Sequence, residues 1–147
     1  MEILSLSLVI AESDLNAMSA RHLPSDAPIR NLNFAIFPEG VQVGGEYRGL
    51  LLPVPFTTLW SVTVEANCLV GRLSRSRIVG VPASLLHGIF WNAFRKAASG
   101  QLAVRVENNA VHLHLDEMLQ QRGLPLRTNL RTVRCEVGRL IVEAGGL

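Results

Sequence analysis

Apolar and polar residues alternate along most of this chain, which is the pattern of β-strands with one buried face. The first predicted strand, residues 4–10, carries Leu or Ile at every second position. The same alternation predicts strands at residues 29–37, 41–47, 56–64, 69–79, 102–106, 111–115, 126–135 and 139–144. Turn residues lie between several of them, among them Pro38-Glu39-Gly40, Asn108-Asn109 and Gly138. Short turns between such strands predict hairpins and therefore antiparallel pairing.

Three segments follow the helical period instead. Ser13 predicts the start of a short helix that ends before Pro24, and Asp116 predicts the start of another that ends near Gly123. The longest helix is predicted at residues 82–99, with Pro82 in its first turn. Its apolar residues form one stripe: Leu86, Ile89, Phe90, Ala93, Phe94 and Ala97. The stripe indicates a helix packed against a sheet, so the pattern predicts an α+β fold with antiparallel strands and one long helix.

The alternation is interrupted within the strand predicted at residues 69–79. Arg72, Arg75 and Arg77 cannot all lie on one face of a regular strand, so their spacing predicts a β-bulge near Ser74. Two roles are open for these arginines. They could bind the phosphate of a lipid or a membrane surface, or they could protect an exposed strand edge against aggregation. The same alternatives apply to a second group, Arg127, Arg131 and Arg134.

The two ends of the chain show the same order of predicted elements. In residues 3–47 and again in residues 110–146, a strand is followed by a short helix, a Leu-Pro pair and two strands joined by a turn. A Gly-Gly pair lies near the end of each unit. This order indicates a pseudo-repeat within a single domain that spans residues 1–147.

Four segments of the chain are similar to a known family of proteins. They are Ala11-Glu12-Ser13-Asp14-Leu15-Asn16, residues 37–45, Leu52-Pro53-Val54-Pro55-Phe56 and residues 124–142. Together they resemble the bacterial tubular lipid-binding (TULIP-like) proteins, and among these the LmeA-type lipid-binding proteins. The resemblance implies a long, curved antiparallel sheet wrapped around one long helix, with an apolar cavity between the sheet and the helix.

Composition narrows the class of protein further. Apolar residues make up 48% of the chain and charged residues 18%, which excludes a disordered chain. No apolar run reaches the roughly 18 residues of a membrane-spanning helix, and a net charge of +2 is too small for a nucleic-acid-binding surface. Cys68 and Cys135 lie in apolar segments and are predicted to be buried free thiols. Since no targeting segment is recognisable, a cytoplasmic protein is predicted.

The histidines, cysteines and carboxylates of the sequence do not form a recognisable catalytic or metal-binding motif. His112, His114 and Asp116 lie on one side of a predicted strand at a spacing that zinc tolerates. Because no further ligand converges on them, we predict no metal there and expect the histidines to face solvent. The sequence has no Gly-x-Ser-x-Gly segment, no phosphate-binding loop and no histidine close to either cysteine. It therefore predicts neither an enzyme nor a cofactor.

The function predicted from these features is non-enzymatic binding of an apolar small molecule, most simply a lipid acyl chain, between helix 82–99 and a concave sheet. The residues assigned to the ligand are Leu86, Ile89, Phe90, Phe94, Phe56, Trp60 and Val62. Those assigned to an anionic group, or to peripheral contact with a membrane, are Arg72, Arg75 and Arg77. The alternative is a ligand-free structural or interaction subunit that forms a homodimer through its sheet edges. In that alternative the apolar stripe of the helix only packs in the protein core and binds no ligand.

Overall fold

The computed structural model of this chain describes residues 5–22, 29–48, 52–78, 91–92, 95, 104–107, 110–125 and 127–145. Each of the nine predicted strands corresponds to a strand among these residues, and two short helices accompany them. In chain order the elements are β1 (Leu6–Ala11), α1 (Glu12–His22), β2 (Ile29–Phe37), β3 (Gly40–Tyr47), β4 (Val54–Glu65), β5 (Cys68–Ile78), β6 (Val104–Glu107), β7 (Ala110–Leu113), α2 (Leu115–Gln121), β8 (Leu130–Glu136) and β9 (Arg139–Ala144).

The strands form two sheets. The larger sheet has six strands in the order β2-β3-β4-β5-β7-β6, and the smaller sheet has three in the order β1-β9-β8. All the strand pairs are antiparallel, as predicted. The smaller sheet joins the two ends of the described chain, because β1 pairs with β9 from Leu6 opposite Ala144 to Ala11 opposite Arg139.

The predicted fold class, a sheet wrapped around one long helix, is wrong. Strands account for 64% of the structure and helices for 18%. Among the described residues α1 has 11 residues and α2 has 7, and no helix there is long and apolar enough to cross a membrane. The apolar faces of the two sheets cover each other in a shared core, to which Trp91 also contributes. The helix predicted at 82–99 lies outside the described residues except for Trp91, Asn92 and Arg95, which have helical backbone.

The shared core contains buried residues from both sheets and from α2, such as Ile36, Val142 and Leu115. Trp60 of β4 is 5% exposed, and its indole ring meets that of Trp91 edge to face at 5.6 Å between centroids. The Trp60 Nε1–H donates to the Thr58 hydroxyl at 2.8 Å, and that hydroxyl donates to a backbone carbonyl of β3 at 2.9 Å. The buried threonine therefore satisfies the polar atom that the tryptophan brings into the core.

The bulge predicted near Ser74 is confirmed in β5. Leu59 of β4 lies opposite Arg75, and the next residue, Trp60, lies opposite Leu73, so Ser74 is the additional residue. The change of register turns Arg75 to the outer face of the larger sheet, where Arg72 also lies. The arginine spacing that interrupts the alternation in the sequence thus marks a true irregularity of the strand.

Helix α1 covers the outer edge of the larger sheet with its polar side chains. Asn16 Oδ1 accepts the Phe34 N–H at 2.7 Å, and Asn16 Nδ2 donates to the Phe34 carbonyl at 3.2 Å. A carboxylate oxygen of Glu12 accepts the Ile36 N–H at 2.6 Å. The Ile36 carbonyl accepts the Gly138 N–H at 2.9 Å. The edge groups of these two β2 residues are therefore paired by side chains and by a turn, without a further strand.

A second asparagine attaches the smaller sheet to the larger one. Asn67 lies in the turn between β4 and β5 with a φ of 62°, a left-handed conformation that Asn adopts more readily than most residues. Its amide donates to the Thr128 carbonyl at 3.0 Å and accepts the Leu130 N–H at 2.8 Å. The side chain thereby binds the backbone at the start of β8 as a neighbouring strand would.

The two residues predicted to cap the short helices have other positions or partners. Ser13 lies inside α1, which begins at Glu12. Helix α2 follows His114 without a side-chain capping bond. Asp116 instead accepts the Thr128 N–H at 2.9 Å and also accepts the hydroxyl of the same threonine. The Asp116 carboxylate, which the sequence predicts to cap its own helix, therefore makes a tertiary contact instead.

We expect the Asn16→Ala variant to lower the free energy of unfolding by about 1 to 3 kcal/mol, because both backbone groups of Phe34 lose a partner in a half-buried position. Ser13→Ala on the same helix is the matched control, since Ser13 is exposed, and we expect it to change stability by less than about 0.5 kcal/mol. Urea unfolding measures both. Equally small effects of the two substitutions would show that the edge bonds do not stabilise the fold.

Candidate functional site

An apolar groove between β1, α1 and α2 is the candidate site. Its volume is about 450 Å³, which lies within the usual range of small-molecule sites. We call it the β1 groove and define it by the residues that line it: Leu8, Val9, Ile10, Asp14, Leu15, Ala17, Leu113, Met118, Leu119 and Arg122. Apart from one aspartate and one arginine, these side chains are apolar. The groove thus offers a mainly hydrophobic surface with two charged groups.

One wall of the β1 groove is the edge of β1 that does not pair with β9. The Glu12 N–H, directly after β1, donates to the Gly138 carbonyl at 3.1 Å, on the β9 side. The Ala11 N–H instead donates to Asp14 at 2.9 Å. Because peptide groups point to alternate sides along a strand, those of Ser7 and Val9 face the same way as that of Ala11. Backbone donors and acceptors therefore lie beside the apolar side chains of the groove.

The opposite wall is formed by α2, which ends at a glycine. Gly123 has a φ of +80°, the left-handed conformation in which helices commonly end. The N–H groups of Arg122 and Leu124 donate to the Leu119 carbonyl at 3.1 and 2.9 Å, and the Gly123 N–H donates to the Gln120 carbonyl at 3.0 Å. Because backbone groups satisfy these carbonyls, the Arg122 side chain is not needed to cap the helix.

Of the residues predicted to contact an apolar ligand, the three that the structure describes do not line the β1 groove. Phe56 and Trp60 are buried in the core, at 4% and 5% exposure, and Val62 packs against the same core. The other predicted ligand residues lie outside the described residues: Leu86, Ile89, Phe90 and Phe94. The groove residues on β1 are consecutive, Leu8, Val9 and Ile10, and those on α2 follow helical spacing, but these two segments come from opposite halves of the chain. Local patterns therefore could not place them together.

The arginines predicted to contact an anionic group lie on β5, away from the β1 groove. Arg72 forms a two-pronged ion pair with Glu65, with one N–O distance of 3.1 Å. Hydrogen bonds from Arg72 and then from Thr63 lower the pKa of Glu65, and the Glu65 carboxylate raises the pKa of Arg72. Arg75 is exposed on the same face, and the side chain of Arg77 lies outside the described part. Arg72 is thus already neutralised by a carboxylate of this chain.

The fold brings a cysteine and a histidine together that are far apart in the sequence. Leu69 of β5 lies opposite Leu113 of β7, which places Cys68 next to His114. The Cys68 Sγ lies 3.3 Å from His114 Nδ1. The expectation that no histidine lies near a cysteine is therefore wrong in three dimensions. Burial raises the pKa of Cys68, so its thiol stays protonated at neutral pH and lacks the thiolate that a nucleophile needs.

The predicted row of two histidines and an aspartate does not act as a unit. His114 contacts Cys68, and Asp116 binds Thr128. His112 lies opposite Val70 on one side and Arg105 on the other. Both histidines are half-buried rather than fully exposed to solvent. Among the residues that the structure describes, no group of three or more His, Cys, Asp or Glu side chains is arranged to hold a metal ion.

Comparison with protein-family models, with curated proteins and with solved structures finds no match to this chain. The resemblance to tubular lipid-binding proteins therefore stays a prediction.

Both cysteines are free, and burial raises the pKa of each thiol. We expect iodoacetamide to alkylate them more slowly in the folded protein than in urea at the same neutral pH. The thiols' contribution to stability is complete below the ordinary thiol pKa and is lost as the pH rises through the raised pKa, because the unfolded chain releases these protons first. Mass spectrometry of the alkylated chain and urea unfolding in alkaline buffers measure the two effects.

Replacing both Cys68 and Cys135 with Ser provides the control for the pH dependence. The alkaline decline in stability should be smaller in this double variant than in the natural chain. Equal alkylation rates in the folded and unfolded states would contradict the assignment of both thiols as buried.

Proposed function

We propose that this protein binds an apolar ligand, most simply a lipid acyl chain, in the β1 groove and catalyses no reaction. The observation that carries this proposal is a groove of about 450 Å³ whose walls are mainly Leu, Ile, Val and Met side chains. The protonated thiol beside His114 gives no support for a covalent reaction. Binding is therefore the use of this surface that its chemistry supports best.

The size of the β1 groove suits one acyl chain. A methylene group occupies about the volume of a water molecule, roughly 30 Å³. A groove of about 450 Å³ thus has room for about fifteen methylene groups, enough for a chain of a dozen carbon atoms. Removing each methylene from water contributes about 0.8 kcal/mol to binding. A chain of this length therefore offers enough hydrophobic free energy to offset the loss of its own freedom of motion.

The proposed site replaces the one expected between helix 82–99 and a concave sheet. The ligand now lies between an edge strand and two short helices, α1 and α2. We place the protein in the cytoplasm as part of this proposal. Two free cysteines support that location, since thiols persist unpaired in reducing compartments.

Filling the groove should abolish binding without unfolding the protein. Ala17 is exposed and lines the β1 groove, so the Ala17→Trp variant should place its indole where the chain binds. Ala20→Trp is the matched control, because Ala20 is exposed on the same helix and does not line the groove. Titration with dodecanol by calorimetry should show binding to the natural chain and to the control, with at least a tenfold loss in Ala17→Trp, since the indole occupies the space of several methylenes. Equal affinities of the two variants would overturn this site.

A second function, homodimerisation through a sheet edge, is favoured by a specific feature of β1. Strand β1 contains no charged residue, and Val9 is 51% exposed. The other described edges are protected: α1 covers β2, Arg105 and Glu107 are exposed on β6, and β8 is irregular at Arg131. Two β1 strands could pair antiparallel about a two-fold axis.

If β1 forms such a dimer, the Val9→Lys variant should be monomeric, because the two strands would then bring like charges together at their edge. Val137→Lys is the control, since Val137 is 75% exposed in the β8–β9 turn. Sedimentation at several protein concentrations distinguishes the outcomes. A natural chain that is monomeric throughout, or a dimer that both variants retain, would rule out pairing through β1.

A further inference from the structure

We propose that the ligand of the β1 groove is a single-chain amphiphile with an anionic headgroup, which Arg122 binds at the end of α2. This inference rests on the proposed function, because it requires the acyl chain to lie in the groove. Hydrophobic burial alone would let the groove bind any apolar chain. A charged contact at Arg122 would make the site prefer chains that carry an anionic headgroup.

Arg122 is a lining residue whose charge is not used within the described structure. Its side chain is exposed, and no carboxylate of the described residues lies within ion-pair distance of it. The Leu119 and Gln120 carbonyls at the end of α2 accept backbone N–H groups. The nearest acidic residue along α2, Glu117, pairs with Arg105 at 3.6 Å. The guanidinium is thus available to a ligand.

The other charged residue of the groove has a different environment. Asp14 accepts the Ala11 N–H at 2.9 Å and lies in the first turn of α1, where the helix dipole favours a negative charge. Its carboxylate is therefore already stabilised by this chain. A cationic headgroup would have to compete for it, whereas an anionic headgroup finds an unpaired guanidinium at Arg122.

The shared chemistry of the headgroup is a small oxyanion. A guanidinium donates two parallel hydrogen bonds to a carboxylate or to a phosphate. A fatty acid and a phosphate monoester of a single chain both present such a group. The volume of the groove, about 450 Å³, favours one chain over the two of a membrane phospholipid.

The experiment compares three ligands that share one chain: dodecanoate, dodecyl phosphate and dodecanol. They are titrated by calorimetry at low salt and mildly alkaline pH against the natural chain, Arg122→Gln and Arg127→Gln. Arg127 is also exposed but does not line the groove, so it provides the matched control. The natural chain and the control should bind at least one anionic ligand about two- to fivefold more tightly than the alcohol, as expected for an exposed ion pair.

The Arg122→Gln variant should lose this preference and retain its affinity for dodecanol. A preference for dodecanoate alone, or for dodecyl phosphate alone, identifies which oxyanion the site takes. Equal binding of the alcohol and both anions by the natural chain would overturn the headgroup proposal and leave binding in the groove intact. A loss of dodecanol binding in Arg122→Gln would also overturn it, since Arg122 would then act through packing. Binding of none of the three ligands would overturn the proposed function itself.

Discussion

The hydrogen bonds from α1 to the edge of β2 are the interaction on which the arrangement of this protein depends. Asn16 and Glu12 satisfy backbone groups that a sheet edge exposes, so they fix the helix beside β2. Helix α1 follows β1 directly, so the same helix that binds β2 also contributes Asp14, Leu15 and Ala17 to the β1 groove. The same bonds that close one edge of the larger sheet thus also hold one wall of the β1 groove, beside an edge of β1 that has no strand partner among the described residues.

The strands could be predicted from the sequence, because a strand with one buried face has alternating apolar and polar residues. Even the bulge in β5 could be predicted, since Arg72 and Arg75 must share the solvent face. The partners of the strands could not. Strand β1 pairs with β9 from the other end of the chain, and local alternation carries no information about which distant strand completes a sheet. The long helix was expected from its apolar stripe and the sheet wrapped around it from the resemblance, and the structure contradicts this fold because the helices α1 and α2 are short.

The candidate site was less accessible to sequence reasoning than the fold. Its two walls, β1 and α2, meet through tertiary packing, and the contact of Cys68 with His114 follows from the register of β5 on β7. The sequence assigns a local cap to Asp116 and no role to Glu12. Glu12 and Asp116 instead each bind a backbone N–H of a later segment, Ile36 and Thr128 respectively. This correspondence accords with the pseudo-repeat of residues 3–47 and 110–146, which stays a prediction.

An uncharged and uncovered strand edge is a liability that proteins usually remove with charge, proline or a covering element. The other edges in the described part of the chain show such protection and the edge of β1 does not, so a benefit of that edge would have to offset the risk of aggregation. Ligand binding and dimerisation would each cover the same apolar surface, and they exclude one another because a chain in the groove occupies the space beside Val9. If both occur, the ligand must favour the monomer by mass action. The same surface would then bind the ligand in the monomer and the second copy of the chain in the dimer, and ligand binding would shift the equilibrium between the two.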